Sequence, residues 1–308
     1  RERDSMKVLI VGGTGMIGTH FATHLREQGD DVTLAARSEP EAGTVAAEFP
    51  VLFGDYSAGG FTADDLAPFD GIAFAAGNDI RHLPRGVDTA EFWERTQIGG
   101  VPRFAALAKK AGVRRFVQIG SYYHQVQQEL VETNEYVRAR ALADERMRAL
   151  ADVDFAACTL NPPSILGVIP GAPLKRIARF VRWADGEKPE VPNFAPAGGT
   201  NYMSVRSLAQ ATAGALHGGE AGKAYLVGDA NWSFREYFQA FFDAAGSAIR
   251  LEERDEEHPM MPDPFIVQGR GNTIAYETDP EETAVLGYEQ GDAHRAIEEM
   301  VAQVRAAA

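Results

Sequence analysis

The 308-residue chain has one cysteine, fewer cations than anions and no long apolar run, and each shortage excludes a class of protein. The single Cys158 excludes an intrachain disulfide and a Cys-rich metal site, and we expect it to be a buried small hydrophobe. Asp and Glu total 44 against 30 Lys and Arg, a net charge of −14. This charge repels nucleic-acid phosphates and anionic membrane surfaces, so the sequence predicts neither partner.

No stretch approaches the ~20 apolar residues of a membrane-spanning helix, and no signal peptide is visible, so we expect a cytoplasmic protein. Apolar residues make up 45% of the chain and charged residues 24%, which are ordinary globular proportions. The length exceeds that of a typical single domain, so we expect a large domain with a smaller lobe.

The first chemical signal is a glycine-rich turn between a strand and a helix. Residues 7–11 are an aliphatic run typical of a buried strand, and a helical pattern covers residues 16–28. Glycines between them let the backbone turn sharply and let a pyrophosphate approach, while the helix N-terminus offers unpaired N–H groups. An ordinary strand-to-helix turn is the alternative, but the order of elements favours a dinucleotide site. We assign to this site Gly12, Thr14, Gly15, Met16, Ile17 and Gly18.

Strand and helix patterns then alternate. Further strands are predicted at 31–36, 50–53, 71–76, 113–120 and 153–160, and helices at 40–48, 88–111 and 134–150. This alternation predicts an α/β, doubly wound, Rossmann-type fold with a parallel sheet.

The predicted domains follow from a change in composition after residue 165, where Pro and Gly become frequent. Residues 6–165 are expected to form an NADP-binding Rossmann domain, to which 203–228 return. Residues 166–202 and 229–308 are expected to form a smaller C-terminal substrate-binding lobe. Within it, the segment 258–265 is either a lid over an apolar ligand or packing beneath a loop.

The end of the second predicted strand decides which dinucleotide is expected. A carboxylate there would accept from the adenosine ribose and favour NAD, whereas an arginine accommodates a 2′-phosphate. Here Arg37 and Ser38 follow the strand, and a guanidinium fork suits a phosphate. The sequence therefore favours NADP over NAD, with a surface arginine as the alternative. Further expected cofactor contacts follow the third and fourth strands: Asp55, Tyr56, Ala75, Ala76 and Gly77.

A second constellation predicts hydride-transfer chemistry. Ser121 follows the fifth strand, at the edge where ligands bind in such sheets. Tyr136 and Arg140 lie one turn apart on one face of the next helix. Tyrosine has an ordinary pKa of about 10, and a nearby fixed cation favours the phenolate and lowers that pKa. The serine would hold a substrate carbonyl while Tyr136 gives or takes the proton.

These motifs resemble those of the extended short-chain dehydrogenase/reductase family, which includes nucleotide-sugar epimerases and dehydratases as well as reductases. The resemblance runs nearly end to end, through residues 12–18, 115–121, 161–167 and 286–288, and Tyr136 with Arg140 is similar to the family's Tyr-x-x-x-Lys motif. The segment 161–167 resembles the one beside the nicotinamide, which implies Pro162 and Pro163 as cofactor contacts. The family commonly pairs through helices that here span roughly 88–111 and 134–150, which implies a homodimer.

The chain also departs from that family. Arg140 replaces the motif lysine, and Thr96 or Gln97 stands where the family often has a helix asparagine. Asn201 and Ser207 stand where sugar-nucleotide enzymes show an arginine and an aspartate. A diphosphate-bearing substrate needs fixed cations, so the lost arginine counts against a nucleotide sugar.

The leading hypothesis is an NADP-dependent oxidoreductase that transfers hydride between nicotinamide and a carbonyl or secondary alcohol of a small or apolar substrate. Tyr136 is its general acid/base, Arg140 tunes that tyrosine, and Ser121 orients the carbonyl. The alternatives are an NAD-dependent nucleotide-sugar epimerase or dehydratase, and an NADP-binding sensor or scaffold without turnover. The expected cleft walls are Trp93, Tyr122, Tyr123, His124 and the 258–265 segment.

Overall fold

A computed structural model of the protein describes residues 4–77, 79–172 and 174–308. Its strands, in chain order, are β1 (Lys7–Val11), β2 (Asp31–Ala36), β3 (Val51–Phe53), β4 (Gly71–Phe74), β5 (Arg115–Ile119), β6 (Ala156–Asn161), β7 (Ser164–Leu166), β8 (Phe194–Pro196), β9 (Gly199–Ser204), β10 (Ala224–Leu226), β11 (Ala230–Ser233) and β12 (Glu252–Arg254). Its α-helices are α1 (Met16–Glu27), α2 (Ala63–Leu66), α3 (Thr89–Trp93), α4 (Gly100–Lys110), α5 (Tyr123–Val126), α6 (Leu130–Thr133), α7 (Glu135–Arg148), α8 (Lys175–Ala184), α9 (Val205–Gly218), α10 (Phe234–Ala244), α11 (Pro280–Leu286) and α12 (Ala293–Ala306).

A seven-stranded parallel sheet organises the first of two compact units, in the order β10-β6-β5-β4-β1-β2-β3. This confirms the predicted doubly wound, Rossmann-type fold. The strand order reverses between β1 and β4, and ligands of such sheets bind outside the carboxyl ends of the strands at this point. The strands are apolar because helices cover both faces: Val8, Leu9 and Ile10 of β1 are fully buried.

Two predicted helices differ from the structure. Residues 40–48 contain only a short 3₁₀ turn, Val45–Glu48, because Gly43 adopts a φ of +83° and ends any helix before it. The long helix predicted at 88–111 is interrupted by a π-helical segment, Glu94–Ile98, between α3 and α4. The wider turn brings the Arg95 carbonyl onto Gly100, where a Cβ would overlap it, so only glycine fits there.

The first compact unit comprises Arg1–Pro162, Leu208–Val227 and Asp279–Tyr288. The second comprises Pro163–Ser207, Gly228–Thr278 and Glu289–Ala308. It contains two small sheets, β11-β9-β7 and β12-β8, and its helices α8, α10 and α12 enclose an aromatic core. Among the residues the structure describes, no helix combines the length and hydropathy needed to cross a bilayer.

Candidate active site

The turn after β1 is shaped by glycines with two different roles. Gly12 has a φ of +79°, and a Cβ there would lie 2.6 Å from the Ala75 carbonyl oxygen. A Cβ on Gly18 would overlap the carbonyl of Gly12, so the chain itself requires both glycines. Gly15 differs, because its φ is −75° and a Cβ would make only an ordinary contact at 3.5 Å. A glycine that the fold does not need leaves the backbone open, as the approach of a pyrophosphate requires.

The N-terminus of α1 completes this cradle. Gly15 precedes Met16 and provides no capping side chain, and the described first turn of α1 contains no acidic residue. The first N–H groups of a helix have no partner within it and carry the positive end of its dipole. Thr14 and Gly15 are exposed, while Met16 and Ile17 are half-buried, so the cradle is reachable from solvent. These features fit a dinucleotide pyrophosphate.

The end of β2 presents the cation that the sequence assigned to a 2′-phosphate. Arg37 and Ser38 directly follow β2, and both are exposed. Within the described part of the chain, Arg37 has no ion pair or hydrogen bond. Its guanidinium is therefore free to meet an anion, although its role at the cofactor stays a prediction.

The residues after β3 are partly engaged within the protein. The Asp55 carboxylate accepts hydrogen bonds from the Ser57 backbone N–H (2.9 Å) and hydroxyl (2.7 Å). The Tyr56 hydroxyl donates to the Thr96 carbonyl oxygen (2.6 Å), and its ring packs edge-on against Phe74. Asp55 thus caps a turn, the alternative role that this residue type often has. The assignment of Asp55 and Tyr56 as cofactor contacts stays a prediction.

The structure brings together the three residues predicted to carry the chemistry. Ser121, Tyr136 and Arg140 are buried, with exposures of 7%, 9% and 7%. The Ser121 hydroxyl and the charge of Arg140 both act on the Tyr136 phenol, and each favours its phenolate. Arg140 Nη2 donates to the Ile119 carbonyl oxygen (3.2 Å), which anchors the guanidinium at the end of β5. Its buried Nε has no partner within the described chain, so one donor remains for a ligand.

The pKa of Tyr136 departs from the sequence-based expectation. Burial raises this pKa above its ordinary value of 10.0, and this effect exceeds the lowering by Arg140 and by the Ser121 hydrogen bond. A second charge, that of Asp79, also raises it. The phenol is therefore protonated at neutral pH, which is the state of a proton donor.

Aromatic rings surround Tyr136. The Trp93 ring lies 5.3 Å and the Tyr123 ring 6.4 Å from it, measured between centroids, and Tyr122 lies 4.3 Å from Tyr123. Three of the expected cleft walls therefore cluster at the tyrosine. His124 does not, because its ring bonds the buried Asp144.

Sequence reasoning missed Asp79. It follows β4 and caps the 3₁₀ turn Ile80–His82, and its carboxylate pairs with Arg81. Arg81 and His82 hold the pKa of this carboxyl well below its usual range, against the effect of burial. Its position just after a central strand, at the edge where ligands bind, was the available signal.

Asn201 and Ser207, in the second unit, stand where sugar-nucleotide enzymes show an arginine and an aspartate. Both side chains are hydrogen-bonded to other residues of the protein. Asn201 is 1% exposed; its Nδ2 donates to Asn231 Oδ1 (2.8 Å), and its Oδ1 accepts from the Asp229 N–H (2.9 Å). Ser207 is fully buried, and its hydroxyl donates to the Glu289 carbonyl oxygen (2.7 Å). Neither provides a fixed cation.

The segment 258–265 is largely packed into the second unit. His258 is fully buried, its Nδ1 accepts from the Met260 N–H (3.1 Å) and its Nε2 donates to the Pro192 carbonyl oxygen (3.0 Å). Met260 is also buried, whereas Phe265 is half exposed. Packing therefore accounts for the start of this segment.

Comparison with models of known protein families finds a match. Residues 8–228 match the model of the NAD-dependent epimerase/dehydratase family. A search of curated protein sequences returned no significant match.

Solved structures of similar fold include two UDP-N-acetylglucosamine 4-epimerases. A UDP-N-acetylglucosamine 4-epimerase from Bacillus cereus has a TM-score of 0.70 and 14% identity over 98% of this chain and 100% of its own. Such an epimerase from Methanobrevibacter ruminantium, bound to UDP-N-acetylmuramic acid, has a TM-score of 0.73 and 15% identity over 99% and 100%. The Bordetella bronchiseptica enzyme WbmH, bound to NAD⁺, has a TM-score of 0.71 and 18% identity over 99% and 100%. At these identities the similarity establishes the fold.

Proposed function

Because the chain belongs to the NAD-dependent epimerase/dehydratase family, we propose that it is an enzyme that oxidises or reduces a hydroxyl-bearing carbon of a small molecule. The observation that carries this proposal is the buried cluster of Ser121, Tyr136 and Arg140 at the carboxyl edge of the sheet. Such a cluster couples proton transfer to hydride transfer.

Each residue of the cluster has one task. Tyr136 Oη holds the proton that passes to the carbonyl oxygen in reduction, or receives the hydroxyl proton in oxidation. Ser121 Oγ bonds that same substrate oxygen and orients it toward Tyr136. Arg140 keeps a positive charge beside the phenol and lowers the cost of the phenolate. A bound nicotinamide dinucleotide supplies the hydride acceptor and donor.

The residues that would hold that dinucleotide fit it. Gly12, Gly15 and Gly18 with the N-terminus of α1 would hold the pyrophosphate, and the free Nε of Arg140 offers a further donor. Arg37 and Ser38 support NADP, because a free guanidinium fork matches a 2′-phosphate. The family description supports NAD. Titration with both cofactors decides between them.

A nucleotide sugar is the first substrate class to test. Two of the structural relatives are UDP-N-acetylglucosamine 4-epimerases, which supports the epimerase or dehydratase alternative over a small apolar substrate. In such a reaction Tyr136 would take a proton and return it within one cycle.

A second candidate is an NADP-dependent reductase acting on a small or apolar carbonyl compound. Asn201 favours this candidate, because it stands where sugar-nucleotide enzymes show an arginine and so provides no cation for a diphosphate. Both polar atoms of its side chain are already hydrogen-bonded within the protein. The protonated Tyr136 favours it as well, since a neutral phenol is ready to donate.

Two experiments separate these candidates. Denaturing the purified protein and measuring released NAD tests for the tightly held cofactor expected of an epimerase. Turnover is then measured with UDP-sugars and with a carbonyl panel, for wild type, Tyr136→Phe and Ser121→Ala. We expect Tyr136→Phe to lose ~10²-fold or more in kcat while still binding cofactor. Full turnover by a double variant would refute the assigned roles.

We also propose a homodimer, paired through α4 and the α7 helix that carries Tyr136. Both helices keep exposed faces, with Arg103, Ala106 and Lys110 on α4 and Arg138 and Glu145 on α7. Sedimentation of the purified protein tests the pairing, and a monomer at micromolar concentration would contradict it.

A further inference from the structure

A buried polar network continues along the face of α7 that carries Tyr136 and Arg140. At its centre is Asp144, which is 1% exposed. Its Oδ2 accepts from His124 Nε2 (2.7 Å) and from Asn161 Nδ2 (3.2 Å), and its Oδ1 accepts from Arg148 Nε (2.7 Å). These bonds, those from His124 first, hold the pKa of the Asp144 carboxyl at about 2 against the effect of burial.

The network joins the two elements that carry the reacting hydroxyls. Tyr136, Arg140 and Asp144 occur at intervals of four residues in α7, so they share one face of that helix. His124 lies in α5, the four-residue helix that begins two residues after Ser121. The bond from His124 to Asp144 therefore connects the segment after Ser121 to the helix of Tyr136.

Asn161 makes the same connection from the end of β6. Its Nδ2 also donates to Gln125 Oε1 (2.8 Å), the neighbour of His124 in α5. Its Oδ1 lies against Gly120, where a Cβ would overlap it. Backbone bonds complete the support on either side of Ser121: Gly120 N–H donates to Leu160 O (2.7 Å) and Tyr122 N–H to Pro162 O (3.2 Å). The backbone on both sides of Ser121 is thus held, and α5 is bonded to α7 directly by His124 and indirectly through Asn161.

We propose that His124, through its hydrogen bond to Asp144, is a positioning residue that holds the Ser121 hydroxyl against Tyr136. This inference rests on the proposed function, since it assigns a purpose to the Ser121–Tyr136 contact. A helix of four residues has little stability of its own, so loss of the direct bond from His124 lets α5 move relative to α7 and displaces the side chain of Ser121, which precedes α5. Displacement of a reacting group by ~1 Å can cost ~10²-fold in rate.

The test uses two substitutions that differ in where they place a nitrogen. His124→Gln puts its amide nitrogen near the place of the imidazole Nε2 and can still donate to Asp144. His124→Asn puts its nitrogen near Nδ1 and cannot reach. We expect His124→Asn to lower kcat by ~10-fold or more with cofactor affinity unchanged, and His124→Gln to restore most of it.

A second histidine–aspartate pair provides a matched control. His217 Nε2 bonds the fully buried Asp30 Oδ2 (3.2 Å) in the same unit, and Asp30 directly precedes β2, at the edge of the sheet opposite the candidate site. His217→Asn and His217→Gln should therefore affect stability without affecting kcat. If His217→Asn lowers kcat as much as His124→Asn, the effect is general destabilisation and the inference is wrong. A His124→Gln variant as slow as His124→Asn would also overturn it.

A spectroscopic readout separates this inference from the proposed function. The protein is labelled with ¹³Cζ-tyrosine, and the Tyr136 resonance is assigned by its loss in Tyr136→Phe. We expect His124→Asn to shift this resonance, because the Ser121 hydroxyl no longer acts on the Tyr136 phenol, and both His217 variants to leave it in place. If the wild-type protein turns over no substrate, the proposed function fails while this shift still decides the positioning role. An unshifted Tyr136 resonance in His124→Asn overturns it.

Discussion

Replacing Gly15 or Gly18 by alanine should separate cofactor binding from folding, because only one of these glycines is required by the fold. In Gly18→Ala the new methyl overlaps the Gly12 carbonyl and lies 2.7 Å from Gly13 Cα. These are backbone atoms that cannot move aside, and overpacking of this kind costs about 1–3 kcal/mol. Alanine regains about 1 kcal/mol in helix propensity, so the net loss lies between about 0 and 2 kcal/mol. We expect the upper end of this range, because the overlap is with backbone atoms.

In Gly15→Ala the methyl meets only one atom, at 3.5 Å, and the φ of −75° suits alanine. Alanine is a poorer N-cap residue than glycine, which costs a few tenths of a kcal/mol of stability. Alanine also lowers the conformational entropy of the unfolded chain, which stabilises the native state by about as much. Stability should therefore hardly change. The methyl, however, occupies the approach of the pyrophosphate. Each hydrogen bond to a charged group contributes about 1.5–3 kcal/mol, so losing one weakens binding at least ~10-fold.

The assay pairs thermal unfolding with fluorescence titration by NADPH and NADH. Gly218→Ala is the control, because Gly218 ends α9 outside the cradle and a methyl added there would meet no atom within 4 Å. It should weaken neither cofactor binding nor thermal stability. The reasoning is refuted if Gly15→Ala binds cofactor as tightly as wild type, or if it loses as much stability as Gly18→Ala.

Three further predictions concern single residues. Arg37→Ala should weaken NADPH but not NADH binding in the same titration; equal losses would exclude a 2′-phosphate contact. Burial lowers the pKa of His258 below the value of about 6.5 expected in the unfolded chain. When the pH falls below about 6.5, the unfolded chain binds a proton more readily than the native protein does, so the free energy of unfolding falls. Denaturant unfolding at several pH values should show this fall reduced in His258→Gln, and an identical slope would contradict it. Burial raises the pKa of the Cys158 thiol to about 12, so a thiol reagent should label it only on unfolding; rapid labelling of the native protein would show the site is accessible.

Local patterns were sufficient wherever neighbouring residues decide the structure. The aliphatic run of β1, the glycines after it and the amphipathic α1 predicted strand, turn and cradle, because each depends on backbone sterics and on periodicity within a dozen residues. The alternation of such units then predicted a parallel sheet, since crossovers of one hand leave few other arrangements. Ser121 and Tyr136 were placed together on the same reasoning, and in the structure both are buried and the Ser121 hydroxyl acts on the Tyr136 phenol.

What the amino-acid sequence alone determined was therefore the sheet and the turn, and it also predicted which groups react. Only the tertiary structure decided their electrostatics and support. The pKa of Tyr136 rises rather than falls because Trp93, Tyr123 and the sheet remove water from it, and burial is not visible in a spacing of four residues. The bond between His124 and Asp144 joins side chains 20 residues apart, and it exists because two helices meet behind one strand end. Desolvation and such contacts depend on how elements pack, which no local pattern contains.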